Sequence, residues 1–357
     1  MSSKFRPLYD KLYMSIDTWL LAFQANRSGH TRGKKLPKNP VLDREYRSAV
    51  VPYWKPFGIK PKKHWYRIYC DRSEHIAPEY IPDDIWFHKI IPHFNTLLFA
   101  QALQDKNQHG LLVPGIKRPK TVVKNIAGVF YDDDYNLLTE DEAVARCLNA
   151  GRFLFKPAVG SGKGHDIRFY NGSDLDTATV KGLFAKYGNR NFMVQEKMKQ
   201  HRDMAKIYEK SLNTIRIVTF LYHNEVHILS IILRAGSGGS EIDNVSQGGY
   251  ACKVNMDGTL DPLAVNRRGE WVPKHPSGTV FAEVKIPGFD KLLRTVKDAA
   301  AKIAHFKILG WDFAIDEDGE PVFIEYNVIP GQNQKTWGPT FGAMTREVLE
   351  DVFINSK

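Results

Sequence analysis

The sequence of 357 residues has few cysteines. Cys70, Cys147 and Cys252 are odd in number and widely scattered. That excludes a disulfide framework and a zinc site, and it fits a reducing, cytoplasmic setting. Long apolar runs are missing too. The longest near the N-terminus, Trp19 to Phe23, is far short of the roughly 20 residues that a membrane span needs. No seven-residue apolar stretch follows the first basic residues, so no secretory signal is expected. His165, His223, His227 and His305 lack metal-ligand spacing. There is no internal repeat and no low-complexity tract. The remainder is ordinary globular composition, 43% hydrophobic and 25% charged, with length for two or three packed units.

Acidic residues are scarce in one region. Residues 1–70 hold fifteen Lys or Arg against four Asp or Glu, a net +11, so the rest of the chain carries −1 of the overall +10. Such a segment either meets an anionic neighbour (nucleic acid, anionic lipid headgroups, a phosphorylated or acidic glycan) or is a solvated arm. Nucleic acid ranks last, because no RNP or zinc pattern is present. Leu8, Tyr9, Leu12, Tyr13, Ile16, Trp19, Leu20 and Phe23 fall at helical spacing. They predict an amphipathic helix over 8–23 whose aromatic face docks on the body of the protein, in preference to a membrane surface. Residues 27–63, rich in Lys, Arg, Pro and Gly, read as an extended basic connector.

Beyond residue 75 helical and strand patterns mix. A helical pattern runs through Ile85, Ile90 and Phe94, broken at Pro92, and another covers 95–107. Strands are expected at 120–124, 128–131, 153–157, 166–170 and 192–196. Thr139 with Glu142 makes a capping box for a helix from about 140, and 174–187 and 290–306 are helical. Residues 215–222 and 226–233 form a hairpin around His223-Asn224; 311–315 and 322–326 form another. Antiparallel pairs in place of regular βαβ alternation predict an α+β fold.

The stretch FKPAVGSGKGHDIRFY at 155–170 has the look of a phosphate loop. It lacks what a Walker A loop needs: Gly162-Lys163 is followed by Gly164, not Ser or Thr, and the position five before Gly162 is Pro157. It lacks the G-x-G-x-x-G spacing and the following helix of a dinucleotide fold. It is a glycine-rich hairpin. Backbone N–H groups around Gly160, Ser161, Gly162, Lys163 and Gly164 can line anion oxygens, since no Cβ blocks approach. Lys156, on the strand before it, points beneath the loop.

A second constellation lies in GWDFAIDEDGEPVFIEYNVIPG at 310–331. Glu325 and Asn327 are two apart and leave one face of a strand. The turn at 316–320 folds Asp312 back opposite them. Two carboxylates and an amide oxygen with no His or Cys suit Mg²⁺ or Mn²⁺ bridging nucleotide phosphates.

Together the two features resemble the ATP-grasp superfamily over about 100–335. More narrowly, YIPDDIWFHKIIPHFN, PKTVVKNIAGVFYD, SLNTIRIVTF and DNVSQGGYACKV resemble the sugar-transfer-associated ATP-grasp family, also labelled hexapeptide-transferase-related, from about 75 onward. The resemblance implies an ATP-grasp fold, with the nucleotide held between two α+β subdomains and an N-terminal helical, basic extension. The implied divisions are the extension at 1–75, a lysine-bearing substrate subdomain at 76–135, the small subdomain with the glycine hairpin at 136–200 and the metal-bearing subdomain at 201–357. Lys106 takes the place of the family's first nucleotide lysine (Lys120 and Lys124 being the other lysines for that place) and Lys156 that of the second. Gln195 and Glu196 fall where the hinge strand meets adenine, with Asp203 for the ribose. Asp312, Glu325 and Asn327 match the metal triad. Arg216, Asn213 and Lys253 are implied for catalysis; Asn244, Gly248 and Gly249 form a loop for substrate.

The activity so implied is ATP-dependent carboxylate–amine ligation through an acylphosphate, with ATP and Mg²⁺ or Mn²⁺. The family's gene context points to surface polysaccharide or glycoconjugate synthesis, joining an amino acid to a sugar acid or amino sugar. Substrates would be small-molecule or glycan carboxylates and amines, with an anionic glycan or a polyprenyl-phosphate carrier as a partner at the inner membrane face. The alternatives are a ligase of amino acids or peptides in small-molecule synthesis, a phosphotransferase that stops at the phosphorylated product, and a non-catalytic ATP-binding component of a glycan assembly complex.

Overall fold

Short alternating segments, separated by glycine and asparagine turns, become two antiparallel sheets. The computed structural model describes residues 6–73, 75–160, 166–187, 190–243 and 248–355, with the backbone alone over 6–15. The first sheet comprises β1 (Thr121–Ile126), β2 (Val129–Tyr131), β3 (Leu137–Leu138), β4 (Arg152–Pro157), β5 (Arg168–Asn171) and β6 (Phe192–Glu196), in the order β3-β2-β1-β6-β4-β5. Helices Glu140–Asn149 and Thr177–Tyr187 cover one face, packing Val144, Cys147, Val180 and Phe184 with Phe153, Phe155 and Phe192. The capping box forms. Thr139 N donates to Glu142 Oε2 at 2.7 Å, and Glu142 N donates to Thr139 Oγ1 at 3.2 Å.

The second sheet comprises β7 (Thr214–Tyr222), β8 (Glu225–Ala235), β9 (Tyr250–Val254), β10 (Leu260–Asn266), β11 (Trp271–Val272), β12 (Ile308–Ile315) and β13 (Pro321–Asn327), in the order β11-β10-β9-β8-β7-β12-β13. His223 and Asn224 both have positive φ, +48° and +62°, as a two-residue hairpin turn with right-handed strand twist requires. Strands β9 to β11 were not expected from the sequence. Pro262 interrupts β10 at a register shift between Leu260 and Ala264, which hides the alternation. Helix Phe289–Ala300 packs Phe289, Leu292 and Val296 into the core of this sheet.

The N-terminal region departs most from expectation. Helix α1 runs Arg6–Lys35, well past residue 23. Its docked face is the small-residue one: Thr18, Ala22, Gly29 and Gly33 are buried, whereas Ile16, Trp19, Leu20 and Phe23 are exposed. A Cβ on Gly29 would come within 2.5 Å of the Trp65 ring, and one on Gly33 within 2.8 Å of His64 Cβ. These glycines therefore allow close approach and do not break the helix. The connector at 27–63 is also largely helical. Asn39 caps helix Pro40–Glu45 by accepting from Val41 N and Leu42 N, and Pro40 sits at its first position. Leu42, Tyr46, Val50, Trp54 and Phe57 recur every three or four residues and are all buried. With Trp65, Tyr66 and Trp86 they build a core that reaches Phe220 and Tyr222 on β7.

Pro92 does not break its helix. A wide i→i+5 turn at Trp86–Ile90 leads into Ile91–Phe94, as another at Tyr46–Val50 leads into Pro52. The single helix expected over 95–107 is instead three short turns, Leu97–Phe99, Ala100–Leu103 and Lys106–Gln108. Asp105 caps the last by accepting from Asn107 N at 2.9 Å. That cap presents Lys106 at the edge of the space between the sheets.

Candidate active site between the two sheets

The two sheets face each other across a cleft of about 690 Å³, part of it open to solvent. The first sheet contributes Leu154, Lys156, Phe169, Gln195 and Glu196, followed by Lys197 and Met198; the second contributes Thr214 and Ile324, with the loop at 241–243. Leu154, Phe169, Met198 and Ile324 are apolar surfaces suited to a flat base, and Gln195 and Glu196 lie at its rim. Glu241 ties the halves together, accepting from Arg152 at 2.5 Å and from Lys197 at 2.9 Å.

At the deep end of this cleft the cations converge. Lys156 is buried on β4, across from Met193 on β6. Burial pushes its pKa down to about 8, with help from the Lys106 charge and against the pull of Glu325. Lys106 Nζ lies 3.2 Å from Glu325 Oε2. Lys124 is elsewhere: its ammonium donates to Asp133 O at 2.7 Å and lies 3.4 Å above the Tyr135 ring. Lys120 pairs with Glu196 at 2.9 Å on the exposed rim. Of the three lysines considered for the first nucleotide position, Lys106 is the one held beside Lys156 and Glu325.

Across the second sheet, direct strand partners line up Glu325, Asp312, Arg216, Ile232 and Lys253 in one row. A bulge in β13 puts both Ile324 and Glu325 opposite Asp312, since Phe313 already pairs with Phe323. Without it Glu325 would face the core. Arg216 grips Asp312 in bidentate fashion, Nε to Oδ1 at 2.5 Å and Nη2 to Oδ2 at 2.7 Å. Arg234 adds a contact to Oδ1 at 2.7 Å. Burial alone would raise the Asp312 carboxyl, but the two guanidinium groups outweigh it and hold it below the usual range. Arg234 also donates to Thr214 Oγ1, which in turn donates to Asp243. Burial raises the Asp243 carboxyl despite Arg234.

Arg234, Thr214 and Asp243 were missed by the sequence reading. A two-residue turn at His223-Asn224, counted along without interruption, would not bring Arg234 opposite Thr214. An extra residue in β8, Leu229, shifts the register by one and does so. His109 was missed as well. It is buried beside Lys106 and Lys156 and stacks on Tyr326 with ring centroids 4.7 Å apart. Burial, then those two lysines, hold it neutral.

Two of the expected residues do not reach the cleft. The Asn213 amide is buried and donates to Gln200 Oε1, Met204 O and Tyr208 O at 2.7–2.9 Å, so it holds a turn together and has no catalytic reach. Asp203 pairs with Lys206 at 2.6 Å and lines a separate open depression with Ser277 to Lys285, away from the pocket rim where a ribose contact was expected. Lys253 stands at the end of the row, separated from Arg216 by Ile232, with Nζ 5.0 Å above the Trp337 ring. Gly160 has φ +69° at the start of the glycine hairpin; Ser161, Gly162, Lys163 and Gly164 lie outside the described residues, as does Asn244. Gly248 has φ +104° and accepts from Ser237 Oγ at 2.7 Å; Gly249 is buried beside it.

The triad offers the oxygen donors that a hard divalent cation takes, while both Asp312 oxygens and one Glu325 oxygen are engaged by cationic side chains. Among the described residues no three His, Cys, Asp or Glu side chains converge on one point. Both Asp312 oxygens already meet guanidinium groups, and Asn327 Nδ2 is buried without a partner. A cation held by one or two carboxylates that takes its remaining ligands from phosphates and water has the preference of Mg²⁺.

Comparison with known proteins follows this geometry. No curated protein sequence matches the chain. Among solved structures, the D-cycloserine synthetase DcsG is similar at 14% identity and TM-score 0.41, over 71% of this chain and 72% of that one. An L-amino acid ligase from Bacillus licheniformis is similar at 14% identity and TM-score 0.40, over 73% of this chain and 49% of that one. A biotin carboxylase from Campylobacter jejuni is similar at 12% identity and TM-score 0.43, over 69% and 45%. The chain thus spans about half the length of the latter two. The family profile described as sugar-transfer associated ATP-grasp matches residues 87–336. The chain belongs to the sugar-transfer associated ATP-grasp family.

Proposed function

We propose that this protein is an ATP-dependent ligase that activates a carboxylate as an acylphosphate and passes the acyl group to an amine, with a sugar acid or amino sugar and an amino acid as the pair. The observation that carries the reading is the row Glu325–Asp312–Arg216 facing Lys156 and Lys106 across the cleft. Phosphoryl transfer needs charge neutralisation and in-line positioning more than a protein nucleophile, and no thiol or hydroxyl nucleophile is called for. The substrate carboxylate oxygen attacks the γ-phosphorus of ATP and ADP leaves. The amine nitrogen then attacks the acyl carbon, phosphate leaves, and the amine gives up a proton.

In that scheme Lys106 and Lys156 balance phosphate charge beneath the glycine hairpin. Arg216 and Arg234, held by Asp312 and Asp243, offer guanidinium N–H groups to the transferred phosphoryl. Glu325, Asn327 and Asp312 would hold Mg²⁺ or Mn²⁺, which when bound draws charge from the phosphate oxygens. Lys253 over Trp337 is a cation beside a flat apolar ring, a combination suited to an anionic sugar. The carboxylate substrate is a glycan acid or its polyprenyl-phosphate-linked form, and the enzyme works in the cytoplasm at the inner membrane face.

The test is a screen of uronic acids and amino sugars against amino acids, read by ADP release and product mass. A carboxylate labelled with ¹⁸O should deliver one label to inorganic phosphate. An amide product together with singly labelled phosphate supports the reading; a stable phosphorylated product makes the chain a phosphotransferase and overturns it.

A further inference from the structure

Helix α1 carries an outward stripe that the described residues leave open to solvent, touched only at His30, whose ring meets that of His64 edge-on at 5.7 Å. Ile16, Leu20, Phe23, Arg27, His30 and Lys34 follow one another at steps of four and three, so they share one helix face. All six are exposed, and so is Trp19 beside them. Ile16, Trp19, Leu20 and Phe23 keep 43–54% of their surface in solvent. The Trp19 and Phe23 rings stack on each other at 5.6 Å. The opposite face is committed to the body through Thr18, Ala22, Gly29 and Gly33, so the stripe cannot turn inward without losing that packing.

The stripe changes character along its length. Its first half is apolar and aromatic and its second half is cationic, and Asp17 is the sole acid between Ile16 and Lys35. That sequence of chemistries argues against a second copy of the chain. A parallel pairing would oppose the cations, and an antiparallel one would leave neither apolar half against the other, gaining only cation–π contacts of about 0.5–1 kcal/mol each at an exposed site. By its spacing the apolar half runs on into Tyr9, Leu12 and Tyr13 of the same helix, so Ile16 to Phe23 is the part of it nearest the cations. It suits a bilayer surface, where aromatic side chains enter the headgroup layer and Arg and Lys meet lipid phosphates.

We propose that α1 is an interfacial anchor that seats Ile16, Trp19, Leu20 and Phe23 in an anionic bilayer, with Arg27, His30 and Lys34 on its phosphates. This deepens the membrane-face part of the function proposed above. Its test needs neither nucleotide nor acceptor, so its failure leaves the ligase chemistry standing. The full chain is mixed with phosphatidylglycerol–phosphatidylcholine vesicles and with pure phosphatidylcholine vesicles, and bound protein is separated by flotation. Binding is expected on the anionic vesicles and weakened by added salt. The exposed double substitution Trp19→Glu, Phe23→Glu should reduce it at least about tenfold by removing the buried apolar area. Arg27→Glu with Lys34→Glu should remove the preference for anionic lipid. Size-exclusion light scattering of the same proteins reports their state without lipid. No binding by the wild-type chain, unchanged binding by Trp19→Glu, Phe23→Glu, or a wild-type dimer that this variant splits would each overturn the proposal.

Discussion

Lys156 is a buried lysine facing a second cation, Lys106, and that pairing has a measurable consequence. Its pKa in the free protein is depressed to about 8, so it is charged below that pH and neutral above it. Phosphate oxygens favour the charged form, so nucleotide binding above pH 8 takes up a proton. Affinity for ADP should be flat below pH 8 and should fall by up to about tenfold per pH unit above it, a trend that calorimetry in buffers of different ionisation enthalpy resolves. Lys156→Ala should bind weakly and show no such slope. The same scale shows what a sequence discloses about a site. Lys156 could be singled out from the glycine loop that follows its strand, Asp312 and Glu325 from the turn that folds their strands together, and Arg216 from the family resemblance alone. Arg234 and Asp243 could not, because their meeting with Thr214 depends on one extra residue in β8 and on a loop that follows no period.

Elements were legible where periodicity is undisturbed and illegible where it serves two purposes. The capping box at Thr139 and the hairpin turn at His223-Asn224 are local signals, and the structure keeps both. The run from 27 to 63 was misread because its Lys, Arg and Gly content masks the helical spacing of Leu42, Tyr46, Val50 and Trp54. In α1, Gly29 and Gly33 look like breakers yet are contact points. A matched pair of substitutions separates these roles. Gly29→Ala should destabilise the chain by about 1–3 kcal/mol, as overpacking does, because its Cβ would lie within 2.5 Å of Trp65. Gly182→Ala, inside helix Thr177–Tyr187 with open space around it, should stabilise by about 0.5–1 kcal/mol. Denaturant melts of both variants give the comparison, and destabilisation by Gly182→Ala would contradict the packing described.

Over the whole molecule, the first sheet brings Lys156, the turn at Lys106–Gln108 brings Lys106, and the second sheet brings carboxylates and arginines to a single cleft, tied across by Glu241. Glu241 is partly exposed, so its two ion pairs are worth little individually; Glu241→Gln should weaken ATP affinity by no more than about fivefold and leave the melting temperature nearly unchanged. The basic N-terminal region stands apart from this chemistry. It shares a core with β7 and carries the exposed stripe of α1. The account rests most heavily on the cleft as the place of ATP chemistry. The most direct test is ADP release from ATP by the wild-type chain, with and without Mg²⁺, beside Lys156→Ala and Glu325→Gln proteins whose circular dichroism matches the wild type. Release that requires Mg²⁺ and drops at least about a hundredfold in both variants is the predicted result, since each removes charge stabilisation at the transferring phosphate. Full activity in either variant would contradict the account.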